Sequence, residues 1–580
     1  MSLETKYKGV IAGSRKSLNR LRVKPAMTAW GNVKEVASRR LATSFTSKRS
    51  TSFRRKPESI CFIVLFSICL CGNLSAQQKF WVFFKDKSGA VFNPYQYFNN
   101  AAIQRRQNAN LPLCDSTDFS LNQNYVIAVS AIADSIHLQS RWLNAISVWA
   151  TEEEISKINS MPFVRSTSIM GGSAVECKLK EREITLDKED SFLLDYQIKS
   201  MHGEMFAKQN ISGKGIKIAI LDNGFSHSDI HPAFSDLMKR KGILKMRNFN
   251  TNDSSVYSSK DAHGTMVLSC IAGKYKDKEM GLAPDADFLL AIVGRNYGSV
   301  NTNDDNWVAA LEWADKEGAQ IVNSSLEYVY PDYIDMVHNN EISIETYTAN
   351  LAAKKGMLVV VAAGNEGATD IKYIGPPADA DSVLTVGAVK PETGTHVPTS
   401  SFGPNYHWQV KPNLTASGHD MVALANGKYQ GELGTSFAAP LVTGFAACVW
   451  QMHPSWTNMQ LSDSLEKSGS LYPYYDYANG YGISQAGYFL RKKDSIEKPT
   501  FSVEMDAKGK VEIILHSFDK KDKAHGKLLY YHIADAAGTI RQYYVVKPKK
   551  KKAATLTLTP EMKGAYLVVF FDGFTEKVKL

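Results

Sequence analysis

Between residues 193 and 492 short apolar runs alternate with stretches of helical period, and this alternation limits the fold more than any other feature. GIKIAILDNG (215–224), DFLLAIVG (287–294), AQIVNSSL (319–326), MLVVVAAGN (357–365) and SVLTVGAV (382–389) are nearly continuous apolar runs. Strands covered on both faces read this way, because neither face meets water. DDNWVAALEWADKEGA (304–319) instead puts apolar residues at 307, 308, 311 and 314, one face of a helix. Strand and helix in turn predict an α/β fold, a parallel sheet with helices on both faces. Functional groups in such sheets gather at the carboxyl ends of the strands. Asp222 and Asn365 each stand just past an apolar run.

The flanks differ. A chain of 580 residues exceeds one ordinary domain. Residues 77–172 read as a small α+β unit. Its strands are predicted at KFWVFFKD (79–86), YVIAVSAI (125–132) and FVRSTSI (163–169), and its helices at AAIQRRQ (101–107) and TEEEISKINSM (151–161). Thr151 and Glu154 form a capping box for the second helix. The charged stretch ECKLKEREITLDKED (176–190) marks an exposed linker, taken as 173–192. Past residue 492, alternating strands with turns at Gly509 and Gly538 predict a β-sandwich-like domain over 493–580. Its basic run Lys547 to Lys552, broken by Pro548, reads as a solvated loop.

The net charge of +10 invites a nucleic-acid reading, and its distribution removes it. Residues 1–58 hold fifteen Lys/Arg against three Asp/Glu, while residues 77–580 hold 53 against 55. A near-neutral body is no electrostatic footprint for nucleic acid. Between the two parts lies ICFIVLFSICLCGNLSAQ (60–77), flanked by Arg54, Arg55 and Lys56. It fits a signal peptide over 59–76, cut after Ala76, and is short for a membrane span. The expected location is therefore secreted or cell-surface. The basic extension before it is best explained by a start assigned too far upstream. Beyond the signal, Cys114, Cys177, Cys270 and Cys448 match no zinc spacing, and Cys270 and Cys448 sit in apolar contexts as small core residues.

GELGTSFAAPLVTG (431–444) carries the chemical question. Thr435 or Ser436 can cap a helix there. A Ser at a helix start also has free N–H groups and a positive dipole end beside it, which suits a developing oxyanion. Amide hydrolysis needs a nucleophile, a base, a group to orient the base, and oxyanion donors. Ser436, His263, Asp222 and Asn365 can fill these four jobs, in an Asp…His…Ser chain order. Each has a plainer use: Asp222 as a turn residue beside Gly224, His263 as a helix cap, Asn365 in a left-handed turn, Ser436 as the cap already named. Turns and caps explain single positions but not the set. His227, His231 and His419 lack matching context and read as structural or surface residues, with no metal site implied.

Together the stretches GKGIKIAILDNGFSHSDIHPAF, DAHGTMVLSCIAG, GLAPDA, IVNSSL, VVVAAGNEG and GTSFAAPLVTG resemble the subtilisin-like serine peptidases, the subtilase family. The resemblance covers about 300 residues, 193–492, in order. It implies a seven-stranded parallel sheet and a serine endopeptidase acting on protein or peptide substrates. It implies catalytic Asp222, His263 and Ser436, with an oxyanion hole made of the Asn365 amide and the Ser436 backbone N–H. Ser325, Leu326 and Glu327 would flank the primary specificity pocket, with Ala362, Ala363 and Gly364 as its other wall. The family usually has Gly where Glu327 stands, so this Glu either favours basic substrate residues or crowds the substrate backbone. Asn223 is also unusual beside the family's Asp. No organic cofactor is implied. Family members often bind structural calcium, and no calcium loop is legible here.

The unit at 77–172 resembles an inhibitory prodomain, which makes the chain's own prodomain a partner and sets cleavage between about 170 and 195. The last 85 or so residues resemble sorting domains of Gram-negative proteins exported by the type IX system, implying secretion machinery as a further partner. Two other readings of the same scaffold are a non-catalytic binding protein and a narrow self-processing peptidase.

Overall fold

Seven parallel strands carry the centre of the protein: β1 (Lys217–Asp222), β2 (Ile243–Asn248), β3 (Asp287–Ile292), β4 (Ile321–Ser324), β5 (Leu358–Ala362), β6 (Leu384–Val389) and β7 (Leu414–Ser417). They lie in the order β7-β6-β5-β4-β1-β3-β2. The computed structural model describes residues 77–171, 173–176, 188–251, 253–294, 304–330, 336, 342–369, 371–405, 408–491, 498–518 and 527–580. The basic extension, the apolar run before residue 77 and residues 177–187 of the linker lie outside them.

Strand periodicity divides the side chains between two cores. Ile218 and Ile220 of β1, Phe288 and Leu290 of β3, and Leu358 and Val360 of β5 face one side. There they meet α1 (His263–Ala272) and α4 (Thr435–Met452). Ala219, Leu221, Leu289, Ala291, Val359 and Val361 face the other, against α2 (Asp304–Lys316) and α3 (Ile344–Lys354). Both faces are therefore dry, as the continuous apolar runs require. From β1 the chain first builds β2 and β3 on one side and later β4 on the other. The carboxyl ends of β1 and β4 thus flank the crevice where the strand order reverses.

The N-terminal unit is a four-stranded antiparallel sheet in the order Ser135–Ser140, Ala145–Ala150, Gln78–Phe84, Val164–Ile169. The capping box at Thr151 and Glu154 forms as the sequence predicts. One prediction is overturned: residues 125–132 are not a strand, because Gln123–Ser130 is a helix. Asn122 caps it by accepting from the Asn124 N–H, and Val126 and Val129, three apart, are its buried pair while Ile127 is exposed. A short apolar run cannot by periodicity alone be told from such a helix. Two elements also fall inside the stretch read as linker: a strand at Ser173–Glu176 and the start of a helix at Lys188–Lys199.

Charged groups join this unit to α2. Lys79 Nζ lies 2.7 Å from Asp305, which also accepts from Ser147 Oγ and meets His137 Nδ1 at 2.8 Å. Burial alone would raise the Asp305 pKa, but the His137 hydrogen bond and the Lys79 charge outweigh it and hold the carboxyl below its ordinary value. Glu312 accepts from Ser140 Oγ and from the Arg141 and Trp142 backbone N–H groups. Asp315 binds both Arg105 and Arg106, and Lys355 pairs with Asp118 at 2.7 Å.

At the other end, a three-stranded sheet (Phe501–Met505, Lys510–Leu515, Lys552–Thr557) and a four-stranded sheet (Leu529–Ala534, Ile540–Val546, Tyr566–Phe571, Phe574–Lys579) share one apolar core. The domain rests on the central one through Tyr474, whose ring packs on Tyr530, His532 and Phe570. Cys270 and Cys448 are fully buried, as small core residues should be, and Cys114, Cys270 and Cys448 carry free thiols. Among the described residues no helix is long and apolar enough to cross a membrane.

Candidate active site

The carboxyl end of β1 and the start of α1 are locked together by backbone contacts. The Gly264 N–H donates to Gly224 O at 2.8 Å, and the His263 N–H donates to Asp261 Oδ1 at 2.7 Å. His263 is thus the first residue of α1, and it is the Asp261 carboxylate that accepts from its backbone N–H; its own ring turns inward to Asp222. His263 Nδ1 lies 2.7 Å from Asp222 Oδ1, and both side chains are fully buried. Burial pushes the Asp222 pKa up, while the His263 contact and the Asn223 N–H pull it back. A buried carboxylate holding Nδ1 fixes the ring's orientation and leaves Nε2 as the basic atom. Asn223 is buried and presses so closely on Gly294 that a Cβ there would lie 1.7 Å from its Oδ1.

Ser436 stands on the first turn of α4. The residue before that helix is Gly434, at φ 147° and ψ 159°, a conformation essentially closed to other residues. No side chain caps the helix, which decides the open question about Thr435 and Ser436. The Ser436 hydroxyl donates to Ser325 O at 3.1 Å. The His263 ring centroid is 6.0 Å from that of Phe437, so the imidazole sits beside the same first turn.

Pro440 has a specific local effect. Its missing N–H is the one that would bond the Ser436 carbonyl four residues back. That carbonyl instead accepts from Ser325 Oγ at 2.9 Å. Asn323 Nδ2 supports Ser325 Oγ at 3.2 Å, and Thr443 Oγ1 donates to Asn323 Oδ1 at 2.8 Å. The end of β4 is therefore stitched to the first turns of α4 from both sides. Asp261, Asn323, Thr443 and Phe437 were not singled out by sequence reasoning. A polar Asn inside the apolar run IVNSSL is the one signal that pointed to this junction.

Asn365 follows Gly364, and it is Gly364, at φ +98°, that takes the left-handed turn. Asn365 Oδ1 accepts from the Thr435 N–H at 3.3 Å and from Thr435 Oγ1 at 3.2 Å. Those bonds orient the amide and leave Nδ2, a buried donor with no partner, for another acceptor. An uncommitted buried N–H donor beside a serine at a helix start is suited to charge that appears only during reaction.

Of the six residues expected around the pocket, Leu326, Ala362 and Ala363 send their side chains into the cores and offer backbone only. Ser325 is committed to Ser436. Glu327 is the exception. It is buried, and its carboxyl oxygens lie 2.7 and 2.8 Å from where a Cβ on Gly364 would stand, with Oε1 also 3.4 Å from one on Gly375. Burial pushes its pKa up to about 8, the nearby Glu366 charge adds to the rise, and an Asn365 backbone N–H opposes it. Its strand, Leu326–Val329, is held from behind by the Tyr328 N–H on Pro376 O at 2.9 Å, and the end of β4 just before it by Trp307 Nε1 on Ser324 Oγ at 3.1 Å. On its open edge the strand Ser173–Glu176 pairs antiparallel, with Glu176 opposite Leu326 and Val175 opposite Glu327.

Of the histidines without sequence context, His231 has a structural role. His231 is buried, capping through Nδ1 to the Ala233 N–H, with Nε2 at 3.1 Å from Lys428 O. Among the described residues no three His, Cys, Asp or Glu side chains converge as a metal ion requires.

The family model described as the Subtilase family matches residues 213–482. Subtilisin Savinase of Lederbergia lenta is 30% identical over 266 residues, spanning 45% of this chain and 86% of that protein. The chain belongs to the subtilase family. It is a subtilisin-like serine endopeptidase by that membership. Subtilisin NAT of Bacillus subtilis subsp. natto is 26% identical over 345 residues, 59% of this chain and 80% of that one. A model for the peptidase S8 propeptide domain of Bacteroidota matches residues 79–186, so this subtilase carries a propeptide domain. The fold is similar to that of fervidolysin from Fervidobacterium pennivorans, with a TM-score of 0.51 at 17% identity, covering 85% of this chain and 71% of that one. It is also similar to the epidermin leader peptide processing protease of Staphylococcus aureus, with a TM-score of 0.50 at 18% identity over 72% of this chain and 100% of that one.

Proposed function

We propose that this subtilase is an exported, self-processing endopeptidase in which Ser436 attacks the scissile carbonyl. His263 takes the serine proton and returns it to the leaving amine. Asp222 keeps the imidazole oriented and stabilises its cationic form. The Asn365 amide and the Ser436 N–H receive the oxyanion. The observation that carries this reading is the strand Ser173–Glu176 on the edge Leu326–Val329. It lies as a substrate strand would, antiparallel to the strand that follows Ser325, whose carbonyl accepts from the Ser436 hydroxyl. A propeptide strand laid on this edge is suited to be both an inhibitor and a first substrate. Export rests on the signal-like run at 59–76, and the resemblance of 493–580 to type IX sorting domains supplies the route.

Intact mass after exposure to a fluorophosphonate serine probe tests the reading. Wild type should carry one adduct and Ser436→Ala none. Wild type alone should also separate into two pieces, with the new N-terminus between residues 178 and 188. A folded, processed wild type without an adduct would sink the assignment. Asn365→Leu should lower kcat by roughly 10²–10³-fold with KM little changed, since its amide is needed only once the oxyanion forms. A loss seen in KM instead would assign Asn365 to substrate binding.

A further inference from the structure

We propose that Glu327 makes the primary specificity pocket acidic, so that this endopeptidase cleaves after Lys or Arg. The inference rests on the function proposed above and names its substrate class.

The subtilase resemblance sets the pocket between the backbone of 325–327 and that of 362–364. Leu326, Ala362 and Ala363 point away from it into the cores, so the chemistry of the pocket is that of residue 327. Its two oxygens lie against Gly364 on the facing wall, and one of them also faces Gly375. Both positions lack a Cβ, and at Gly364 one would collide with the carboxylate. The space is therefore shaped around an acid. A buried carboxylate normally has a cation or several donors beside it. Among the described residues Glu327 has no Lys, Arg or His partner, and the charge that acts on it is a second acid, Glu366. An ammonium or guanidinium brought by a substrate supplies the missing partner, with the pairing made in a water-poor pocket where it discriminates strongly. The linker that continues from Glu176 offers such residues in Lys178, Lys180 and Arg182.

Burial holds the proton on Glu327 to about pH 8, with Glu366 the other titratable group acting on it. A cationic side chain binds the ionised form. The preference should therefore grow as pH rises through about 8. His263 affects all substrates alike and cancels in a ratio.

The test uses the processed full-length protein and tetrapeptide anilides that differ only in the residue before the scissile bond. For wild type, kcat/KM for Arg should exceed that for Leu by about 10–100-fold, as for a hydrogen bond to a charged group. Glu327→Gln should bring the Arg-to-Leu ratio close to one and make it flat with pH. Protein labelled by the fluorophosphonate but preferring Leu or Phe, or accepting Gly and Ala only, would overturn the inference and make Glu327 a plug. An unchanged Arg-to-Leu ratio in Glu327→Gln would overturn it as well. Absence of labelling in wild type would count against the catalytic reading instead, so the two failures are distinguishable.

Discussion

Ser436→Ala is expected to lower kcat/KM for peptide hydrolysis on the order of a million-fold. His263→Ala should cost nearly as much, and the double variant little more than either, because in the proposed mechanism the two groups move one proton as a unit. Asp222→Asn should cost roughly ten-thousand-fold, since the amide can hold Nδ1 only in the wrong tautomer. The geometry explains why the effects are large. Asp222 and His263 are both fully buried, so no water replaces the carboxylate when it is lost. Ser436 is held by Ser325 at its hydroxyl and at its carbonyl, so a neighbouring serine is not free to take its place. The measurement is kcat/KM on an anilide substrate across the four variants, with far-UV circular dichroism to confirm folding. Residual activity above about one per cent in Ser436→Ala would refute the assignment of the nucleophile, since loss of a true nucleophile leaves far less.

The part of this site legible in the sequence was the part carried by short stretches. β1, β3, β4, β5 and β6 were visible because they are covered on both faces and lie in largely apolar runs. β2 (Ile243–Asn248) and β7 (Leu414–Ser417) are edge strands, and ILKMRN and LTAS carry too little apolar signal to stand out. Asp222 and Asn365 stood out just past apolar runs, and His263 and Ser436 through the stretches HGT and GTSFAAP that carry the family resemblance. The support beneath them was not legible. That Pro440 releases the Ser436 carbonyl to Ser325 depends on a helix register and on a residue 111 positions away. Glu327 stood out as an unusual residue, but only the fold places its oxygens against Gly364 and Gly375. The helix at Gln123–Ser130 was misread because tertiary burial of Val126 and Val129, not local β propensity, decided it.

The second large effect concerns the seam between the propeptide domain and α2, and it is a stability effect rather than a catalytic one. Asp315 accepts from Arg105 and from Arg106, and all three side chains are at least 97% buried. Arg106 also stacks on Phe98 at 4.0 Å, and its next carboxylate, Asp118, is 3.9 Å away and already engaged by Lys355. Asp315→Ala would leave two guanidiniums buried with one carboxylate gone. Guanidinium groups do not shed their charge at accessible pH. Breaking such a buried pair costs about 3–5 kcal/mol, far more than forming it gains. In the uncut Ser436→Ala chain, Asp315→Ala should therefore lower the urea midpoint strongly and loosen the propeptide domain first. Protection of amides in Gln78–Phe84 and Asn100–Asn108 against hydrogen exchange should fall before that of β1 and β5. Lys157→Ala, which breaks the exposed pair with Glu153, should leave the midpoint where it is. If Asp315→Ala behaved like Lys157→Ala, the seam would be wet in solution and the propeptide would be held by its tail strand alone.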